Sequence, residues 1–473
     1  MVHCFTYTHK GNPLYFVWDV ESGSLHNVDE AAFLVSKKRY QRLSDDENKR
    51  FLKLSESDLK EIDAELDLLE KDGVLNAPEV RINLPSSGEI KAMCLHICHD
   101  CNLRCSYCFA KDGTYNTSRD YMSFEVGKAA LDFLFANSGK RHNLEVDFFG
   151  GEPLMNLDNV KKIVAYGKEK AKSLGKDIKF TLTTNGVLLN DDAIKYLNDE
   201  MDNVVISIDG RREIHDKLRV TPNGKGSYDI ALKNAKKFRA VRGDKRYYIR
   251  GTFTQNNVDF SRDVLVLNDE GFDQISIEPV VLPDDSPLAL HEKDLPEIFK
   301  QYDKLSEEYI ERRKGDKWFN FFHYMIDLKN GPCVAKRLTG CGAGKEYVAV
   351  TPDGDIYPCH QFVGKDEFKQ GSVLDQSFNM DIAQTFAGMN IYSRPKCQKC
   401  WAKFYCSGGC SAANYNMNHD MNDSYDLGCE MERKRLEWAI YLKAMDKICA
   451  EEAKYRFTKR MCKIRCEKRR RCL

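Results

Sequence analysis

Between residues 90 and 310 the chain alternates between two hydrophobic patterns. Short runs rich in β-branched and aromatic residues, which are typical of strands, are separated by longer stretches in which apolar residues recur every three or four positions. The stretches 123–135 and 157–172 have the second pattern and predict helices. Because strands and helices alternate, we expect a parallel sheet built from right-handed crossover units. The six predicted strands are 91–97, 144–149, 179–184, 203–208, 247–253 and 274–280.

The first 85 residues have a different pattern. The segments 14–19 and 24–29 flank Glu21-Ser22-Gly23, which predicts a β-hairpin. From 58 to 70 the apolar residues fall on one helical face, and Asp72-Gly73 ends the helix. The apolar residues of that face are Leu59, Ile62, Leu66 and Leu69. We therefore expect a separate small unit at residues 1–85.

Composition and charge narrow the possible partners. The chain has 473 residues, 42% of them hydrophobic, and a formal net charge of zero. This length suits about two to four domains, and a neutral chain predicts no nucleic-acid surface. The first ten residues lack a charged start followed by an apolar run, and no stretch approaches the ~20 apolar residues of a membrane helix. We expect a cytoplasmic protein with no membrane partner.

The cysteines carry the clearest chemical signal. In a reducing compartment, 18 cysteines indicate metal or cluster ligation rather than a disulfide framework. Cys101, Cys105 and Cys108 follow the first predicted strand, and three thiolates in so short a loop can hold three irons of a four-iron cluster and leave the fourth iron open. The alternative is a zinc site closed by a fourth ligand. Nearby residues that offer such a ligand are Cys94, His96, Cys98 and His99.

A second motif, Gly150-Gly151-Glu152-Pro153, follows the second predicted strand. By itself it is more often an ordinary turn. The cysteine loop and this motif, in this order, resemble the radical S-adenosylmethionine (SAM) superfamily. The resemblance implies that the open iron ligates S-adenosylmethionine, that Gly150 and Gly151 let the backbone approach its methionyl group, and that Glu152 lies near its amino group.

The same resemblance implies a fold and further site residues. The fold is a partial (β/α)6 barrel with its site at the carboxyl ends of the strands. Ser207, Asp209 and Arg219 would hold the ribose or carboxylate of the cofactor. Glu278 would lie near the adenosine, and Tyr107 would pack near the adenine. A serine at the end of a strand can also simply cap a helix, and that alternative stays open for Ser207.

The carboxyl third contains a second cysteine pattern that resembles the SPASM domain, which binds two auxiliary [4Fe-4S] clusters. The resemblance implies that the second auxiliary cluster is held by Cys397, Cys400, Cys406 and Cys429. It assigns the first to Cys341, Cys359 and Cys410, with Cys333 as a candidate fourth ligand. If Cys333 does not bind, a substrate thiolate can take the open iron. A zinc ribbon of Cys397, Cys400, Cys406 and Cys410 is the alternative.

The amino-acid sequences of residues 94–110, 144–156 and 250–254 are similar to those of the SCIFF maturases. These are radical SAM/SPASM enzymes that modify a short cysteine-rich peptide. This narrower resemblance implies an oxidoreductase with three [4Fe-4S] clusters and S-adenosylmethionine, whose deoxyadenosyl radical abstracts hydrogen while the protein positions the peptide and excludes water. The product is a thioether between a cysteine sulfur and an acceptor α-carbon. An external flavodoxin- or ferredoxin-like protein would supply electrons.

The resemblance also divides the chain. Residues 1–85 would form a winged-helix-like domain that recognises the leader of the precursor peptide at an exposed sheet edge, or a capping subdomain without a ligand. Residues 90–310 would form the radical SAM core, 331–440 the SPASM domain, and 441–473 a C-terminal helix and basic tail. A helix at 430–447 would close the SPASM domain. Cys462, Cys466 and Cys472 have no assigned role, and a solvated tail is the expectation there.

Two other classes of function remain open from the sequence. One is another SPASM enzyme, such as an anaerobic sulfatase activator or a carbon–carbon crosslinking maturase. The other is a non-catalytic cluster-binding or electron-transfer protein, for which the intact cysteine loop beside the Gly-Gly-Glu-Pro motif would have no use.

Overall fold

The computed structural model describes residues 1–82, 88–329, 331 and 333–446. The chain forms two compact units. The smaller unit contains Met1–Arg81, His323–Gly331 and the chain from Arg433, and the larger contains Ile82–Phe322 and the chain from 332 to Glu432. Among the described residues, no helix has the length and apolar character needed to span a membrane.

The smaller unit is built on a three-stranded antiparallel sheet in the order β1-β2-β3. The predicted hairpin is confirmed, since Tyr15 to Trp18 pair with Val28 to Leu25. The sequence prediction missed β1, which pairs with β2 through a tight turn at Lys10 and Gly11. Both turn residues have positive φ, 50° and 79°, as a two-residue turn matching the twist of a hairpin requires. The strands are β1 (Val2–His9), β2 (Asn12–Asp19) and β3 (Leu25–Val28).

Three helices follow this sheet. Each begins at a side chain that accepts a backbone N–H, and Ser44 forms a full capping box with Glu47. The predicted apolar face of the third helix is confirmed, because Leu66 is buried in the core of this unit and the other three leucine and isoleucine side chains pack against that core. The helices are α1 (Glu30–Tyr40), α2 (Asp45–Phe51) and α3 (Glu56–Lys71).

The C-terminal helix, α16, runs from 426 through 446. The predicted helix at 430–447 is thus present through 446, and its residues from Arg433 belong to the smaller unit. Trp438 stacks on Tyr7 with ring centroids 4.0 Å apart, and Glu437 accepts hydrogen bonds from Tyr7 Oη at 2.8 Å and lies 2.8 Å from His3 Nε2. These partners come from β1, the strand that the sequence did not predict. The residues after 446 lie outside the described residues, and with them Cys462, Cys466 and Cys472.

The larger unit is organised by an eleven-stranded sheet whose central six strands run parallel and in chain order. All six predicted strands are present, with ends within two residues of the predicted ones, and the predicted parallel order is confirmed. The strands of this part are β4 (Ala92–Cys98), β5 (Arg104–Cys105), β6 (Asn143–Gly150), β7 (Asp177–Thr184), β8 (Asn203–Ser207), β9 (Arg219–Val220), β10 (Arg246–Phe253), β11 (Gln274–Pro279) and β12 (Asn320–Phe321).

Helices join these strands and cover one face of the sheet. Phe148 and Phe180 of adjacent strands stack at 5.8 Å on that face and are fully buried, while their neighbours Asp147, Phe149 and Thr181 point to the other face, as the period of two requires. The carboxyl ends of parallel strands share one edge, so the loops after them converge there. The helices are α4 (Phe124–Asn137), α5 (Leu157–Ser173), α6 (Asp191–Glu200), α7 (Arg212–Leu218), α8 (Tyr228–Arg242), α9 (Ser261–Asp269) and α10 (Leu295–Arg312).

The cysteine-rich carboxyl third continues the same sheet. Tyr347 to Val350 pair in parallel with Ala92 to Leu95, and an antiparallel meander follows. This pairing joins the second cysteine region directly to the strand that leads into the first. The elements are α11 (Val334–Thr339), β13 (Tyr347–Val350), β14 (Asp355–Tyr357), β15 (Gly371–Ser372), β16 (Ser377–Phe378), α12 (Met380–Gly388), α13 (Pro395–Gln398), α14 (Lys403–Cys406) and α15 (Ser411–Asn418).

The packing of α16 on β1 predicts a large stability effect. We expect Trp438→Ala to lower the free energy of unfolding of the smaller unit by about 3–5 kcal/mol, because it empties a buried, stacked aromatic site. Leu52→Ala, at a leucine that is 71% exposed, should change it by less than about 0.5 kcal/mol. Urea denaturation followed by hydrogen exchange of the β1 amides measures the change in unfolding free energy for both variants. Equal changes in the two variants would contradict the packing of Trp438 on β1.

Candidate active site

The loop after β4 carries the first cysteine set. Within it, β5 pairs antiparallel with β9. Cys105 is therefore paired with Arg219, although the two lie 114 positions apart in the sequence. Leu103 is buried and fixes the loop, and its N–H points at Cys101 Sγ from 3.4 Å. Asn185, after β7, also directs its side-chain amide toward Cys101 Sγ at 3.7 Å. The loop is therefore held by strand ends on both sides.

Burial dominates the electrostatics of the three thiols. It raises the pKa of Cys105 to about 12, while Arg219 lowers it and the neighbouring Cys108 adds to the rise. Burial also raises the pKa of Cys101, with further contributions from Glu152, Cys105 and Cys108, and it raises that of Cys108. Buried thiols this close to one another become thiolates when a metal cation binds. The donor set fits the ligation of an iron–sulfur cluster.

The two glycines after β6 pack directly against the cysteine loop. Gly150 has φ +117°, and a Cβ there would lie 2.3 Å from the carbonyl oxygen of Cys98. A Cβ on Gly151 would lie 1.9 Å from the carbonyl oxygen of Asp100. The N–H of Gly151 donates to the carbonyl of Cys98 at 2.9 Å, and that of Glu152 donates to Asp100 at 2.9 Å. Only residues without a side chain allow this backbone contact.

Glu152 is 1% exposed and ties the ends of two strands together. Its carboxylate accepts the Thr184 hydroxyl at 2.7 Å, the Asn185 N–H at 2.7 Å and the Leu154 N–H at 3.0 Å. Burial raises its pKa to about 7 against these three hydrogen bonds. Through these hydrogen bonds Glu152 connects the end of β6 to the end of β7 and to the start of the following helical turn.

The structure brings Tyr107, Asp209 and Arg219 into one group. Tyr107 Oη lies 2.8 Å from both carboxylate oxygens of Asp209, and Arg219 Nε donates to Asp209 at 3.0 Å. The Arg219 guanidinium lies over the Tyr107 ring, 5.3 Å from its centroid. Because Asp209 is fully buried and also accepts the Thr252 N–H at 3.1 Å, its position favours orienting Tyr107 and Arg219 over contacting a ligand itself.

Ser207 and Glu278 lie in a second group at the same edge. Ser207 is in register with Arg250 of the next strand, and Arg250 Nη2 donates to Glu278 at 2.6 Å. Arg250 and Glu278 are both partly exposed, 47% and 34% at their side chains. This charged pair was only half anticipated, since the sequence singled out Glu278 without its partner.

Three rings between the cysteine sets were missed by sequence reasoning. Phe109 directly follows Cys108, Phe149 directly precedes Gly150, and His360 directly follows Cys359. The His360 ring lies 5.6 Å from Phe109 and 5.2 Å from Phe149, and the two phenylalanines stack at 6.4 Å. Their place beside three motif residues was a signal in the sequence, but only the fold joins the segments.

Seven cysteines of the carboxyl third, those of the SPASM-like pattern, form two neighbourhoods. Burial raises the pKa of Cys406 to about 11, and Cys429, Cys397 and Cys400 add to the rise. Burial also raises the pKa of Cys359, with contributions from Cys410 and Cys341. Cys333 is exposed at the amino end of α11.

Over residues 1–82, 88–329, 331 and 333–446, no three Cys, His, Asp or Glu side chains are arranged to hold a single metal ion, and this applies to the cysteines of the predicted clusters as well as to those of the zinc alternatives. Near the first cysteine loop, the Cys98 thiol donates to carbonyl oxygens of Asp100 and Glu152 at 3.3 and 3.1 Å, and His96 and His99 bond each other at 3.0 Å. To serve as ligands of a closed zinc tetrahedron, Cys98, His96 and His99 would have to give up these hydrogen bonds.

Comparison with known proteins agrees with these motifs. Residues 95–260 match the model of the radical SAM superfamily, and residues 341–401 match SPASM, an iron–sulfur cluster-binding domain. The cysteine-type anaerobic sulfatase-maturating enzyme of Clostridium novyi is 28% identical over 351 residues, covering 70% of this chain and 90% of that protein. The mycofactocin maturase MftC of Mycolicibacterium smegmatis is 27% identical over 329 residues, covering 67% and 76%.

A solved structure shows the same fold. Native anSMEcpe with bound AdoMet and Cp18Cys peptide superposes with a TM-score of 0.62 at 19% identity, covering 76% of this chain and 99% of that one. The chain thus carries a radical SAM domain of α/β fold followed by a SPASM domain.

The glycine contact predicts a selective loss. We expect Gly151→Ala to abolish S-adenosylmethionine binding and cluster assembly at the first site, because its Cβ would collide with the Asp100 carbonyl and displace the cysteine loop. Gly388→Ala, at a glycine with no atom within 4 Å of the added Cβ, should leave both unchanged. Equilibrium dialysis and iron analysis measure the two losses, and normal binding by Gly151→Ala would contradict the packing argument.

A second prediction concerns Asp147, whose pKa is raised to about 6 by burial and by Glu145, against a hydrogen bond from Thr181. Because the folded pKa lies above the unfolded one, ionisation costs stability as the pH rises from about 4 to 6. We expect Asp147→Asn to be about 2–3 kcal/mol more stable than the wild type above pH 6, and the gain to vanish below pH 4. Denaturation at several pH values measures this, with exposed Asp177→Asn as the control; a pH-independent gain would refute it.

Proposed function

We propose that this protein is a radical SAM/SPASM peptide maturase that joins cysteine sulfurs to α-carbons in a ribosomally made, cysteine-rich precursor peptide of the SCIFF type. The observation that carries the proposal is the hydrophobic core that contains Cys359 and against which Cys108 packs. Residues proposed to ligate the SAM-binding cluster and the first auxiliary cluster thus share one packed core. A peptide lying across this region can meet the radical chemistry and a sulfur-binding cluster together.

The proposal gives the residues of the first site the following roles. Cys101, Cys105 and Cys108 hold a [4Fe-4S] cluster, which when bound supplies an open iron for S-adenosylmethionine and the electron that cleaves it. Gly150 and Gly151 line the methionyl group. Tyr107 and Arg219, oriented by Asp209, face the nucleoside, and Ser207 lies on the next strand.

Forming the thioether removes a hydrogen atom, a proton and an electron from the peptide. The acceptor α-carbon loses a hydrogen atom to the deoxyadenosyl radical, the cysteine thiol loses a proton, and formation of the carbon–sulfur bond releases one electron. Cys341, Cys359 and Cys410, with Cys333 as candidate fourth ligand, would hold the first auxiliary cluster, which would supply an acceptor for that electron. The second, on Cys397, Cys400, Cys406 and Cys429, completes three clusters.

The ring group of Phe109, Phe149 and His360 suits the surface between these sites. Aromatic walls exclude water from a radical, and aromatic C–H bonds are stronger than the C–H bond at a peptide α-carbon, so the rings resist hydrogen abstraction. Arg250 and Glu278 beside it offer a donor and an acceptor for a peptide backbone. The three-stranded sheet of the smaller unit offers the edge strand β3 for leader recognition by strand addition. We place the reaction in the cytoplasm, with a flavodoxin- or ferredoxin-like reductant.

A second candidate is maturation of a sulfatase. The relatives favour it, because four of the similar proteins are anaerobic sulfatase-maturating enzymes, two cysteine-type and two serine-type. The two candidates differ in substrate: one acts on a cysteine-rich peptide, the other on a sulfatase.

The experiment uses anaerobically reconstituted protein, S-adenosylmethionine, dithionite and a synthetic cysteine-rich precursor, followed by reduction, thiol alkylation and mass spectrometry. We expect a loss of two hydrogens per link and cysteines that resist alkylation. Deoxyadenosine without a linked peptide, together with conversion of a sulfatase peptide, would support the second candidate.

The cysteine loop gives the matched test. We expect the triple variant Cys101→Ala, Cys105→Ala, Cys108→Ala to form no deoxyadenosine, a loss of at least about 1,000-fold, because the SAM-cleaving electron has no donor. Cys4→Ala, at a buried cysteine of the smaller unit, should keep wild-type turnover. Deoxyadenosine quantified by chromatography decides it, and turnover surviving in the triple variant would reject radical SAM chemistry altogether.

A further inference from the structure

Arg394 is a buried cation between the two cysteine neighbourhoods of the carboxyl third. It is 2% exposed and precedes α13, whose residue Cys397 donates its N–H to the Arg394 carbonyl at 3.0 Å. Its guanidinium donates to the Ser411 hydroxyl at 2.8 Å and to the carbonyls of Met421 and Ser407 at 3.3 and 3.5 Å. None of these partners is a carboxylate, so the charge has no conventional counter-ion among them.

The loop between Cys406 and Cys410 is shaped around this guanidinium. Ser407, Gly408 and Gly409 all have positive φ, of 60°, 86° and 73°. A Cβ on Gly408 would lie 2.1 Å from Arg394 Nη1. A left-handed backbone conformation costs free energy for a residue with a side chain. This cost falls on Ser407, whereas Gly408 and Gly409 adopt the conformation readily. A side chain at position 408 would therefore displace the Arg394 guanidinium.

The cysteines around Arg394 would supply the missing counter-charge once they bind a cluster as thiolates. Burial lowers the pKa of the guanidinium, while Cys397, Cys406, Cys410 and Cys341 each raise it. Two of these cysteines belong to each proposed auxiliary set. An arginine stays protonated in proteins, so it places a fixed positive charge beside thiolates of both sets.

We infer that Arg394 is a shared positioning residue of the two auxiliary clusters, which holds the Cys406–Cys410 step and raises the reduction potential of both. The inference rests on the cluster assignment in the proposed function. When a [4Fe-4S] cluster takes up one electron, from 2+ to 1+, its ligated unit becomes more negative by one charge. A buried cation stabilises the more negative form, and net charge and hydrogen bonding are established determinants of such potentials.

The test is an EPR-monitored redox titration of the reconstituted full-length protein. We expect Arg394→Gln to lower both auxiliary midpoint potentials by an amount equivalent to about tenfold in the one-electron equilibrium, ~59 mV, and to leave the cluster on Cys101, Cys105 and Cys108 unmoved. Gly408→Ala keeps the charge but displaces it, and should lower the same two potentials. It serves as the second variant if Arg394→Gln does not assemble its clusters.

The matched control is Arg242→Gln. Arg242 is 1% exposed, donates to backbone carbonyls, including those of Arg246 at 2.7 Å and Met201 at 3.0 Å, and its pKa is likewise lowered by burial. It has no cysteine among those partners, so its loss should shift no potential. Auxiliary potentials in Arg394→Gln or Gly408→Ala that match the wild type would overturn the inference alone. A wild type that binds only one cluster per chain would overturn the auxiliary assignment, and the inference with it.

Discussion

The site depends on one close backbone contact, in which Gly150 and Gly151 lie against the chain from Cys98 to Asp100. Added Cβ atoms would come within 2.3 and 1.9 Å of two carbonyl oxygens, so neither position has room for a side chain. The contact follows from the parallel pairing of β4 with β6, whose register shifts between His96 and Cys98 just before the loop. This shift turns the cysteine loop over the strand ends, where Glu152, Thr184 and Asn185 hold it.

The second constraint is the free-energy cost of burying charged groups. The buried carboxylates offset this cost by accepting several hydrogen bonds each. Asp209 is saturated by Tyr107, Arg219 and a backbone N–H, and Glu152 by three donors. The thiols are different, because their pKa values are raised by burial and by one another. They become stable as thiolates only with bound metal, which makes the cysteine regions the part of the fold whose energetics depend on the cofactor.

The sheet connects the two cysteine regions physically. The pairing of β13 with β4 gives the SPASM region and the first cysteine loop a common strand, and Phe109, Phe149 and His360 meet beside it. Residues far apart in the chain thereby reach one packed core. This continuity gives the proposed maturase a single surface on which a peptide can meet two kinds of cluster.

The sequence by itself determined the six parallel strands, the helices between them and the motif residues, because hydrophobic period and short-range spacing are local properties. It did not reveal β1, whose first four residues are all buried rather than alternating, nor that α16 packs on it through Trp438. Arg250 beside Glu278, the ring group and Arg394 also needed the fold. Each brings together residues from distant segments, and which segments meet is decided by strand order and side-chain packing, which no local pattern encodes.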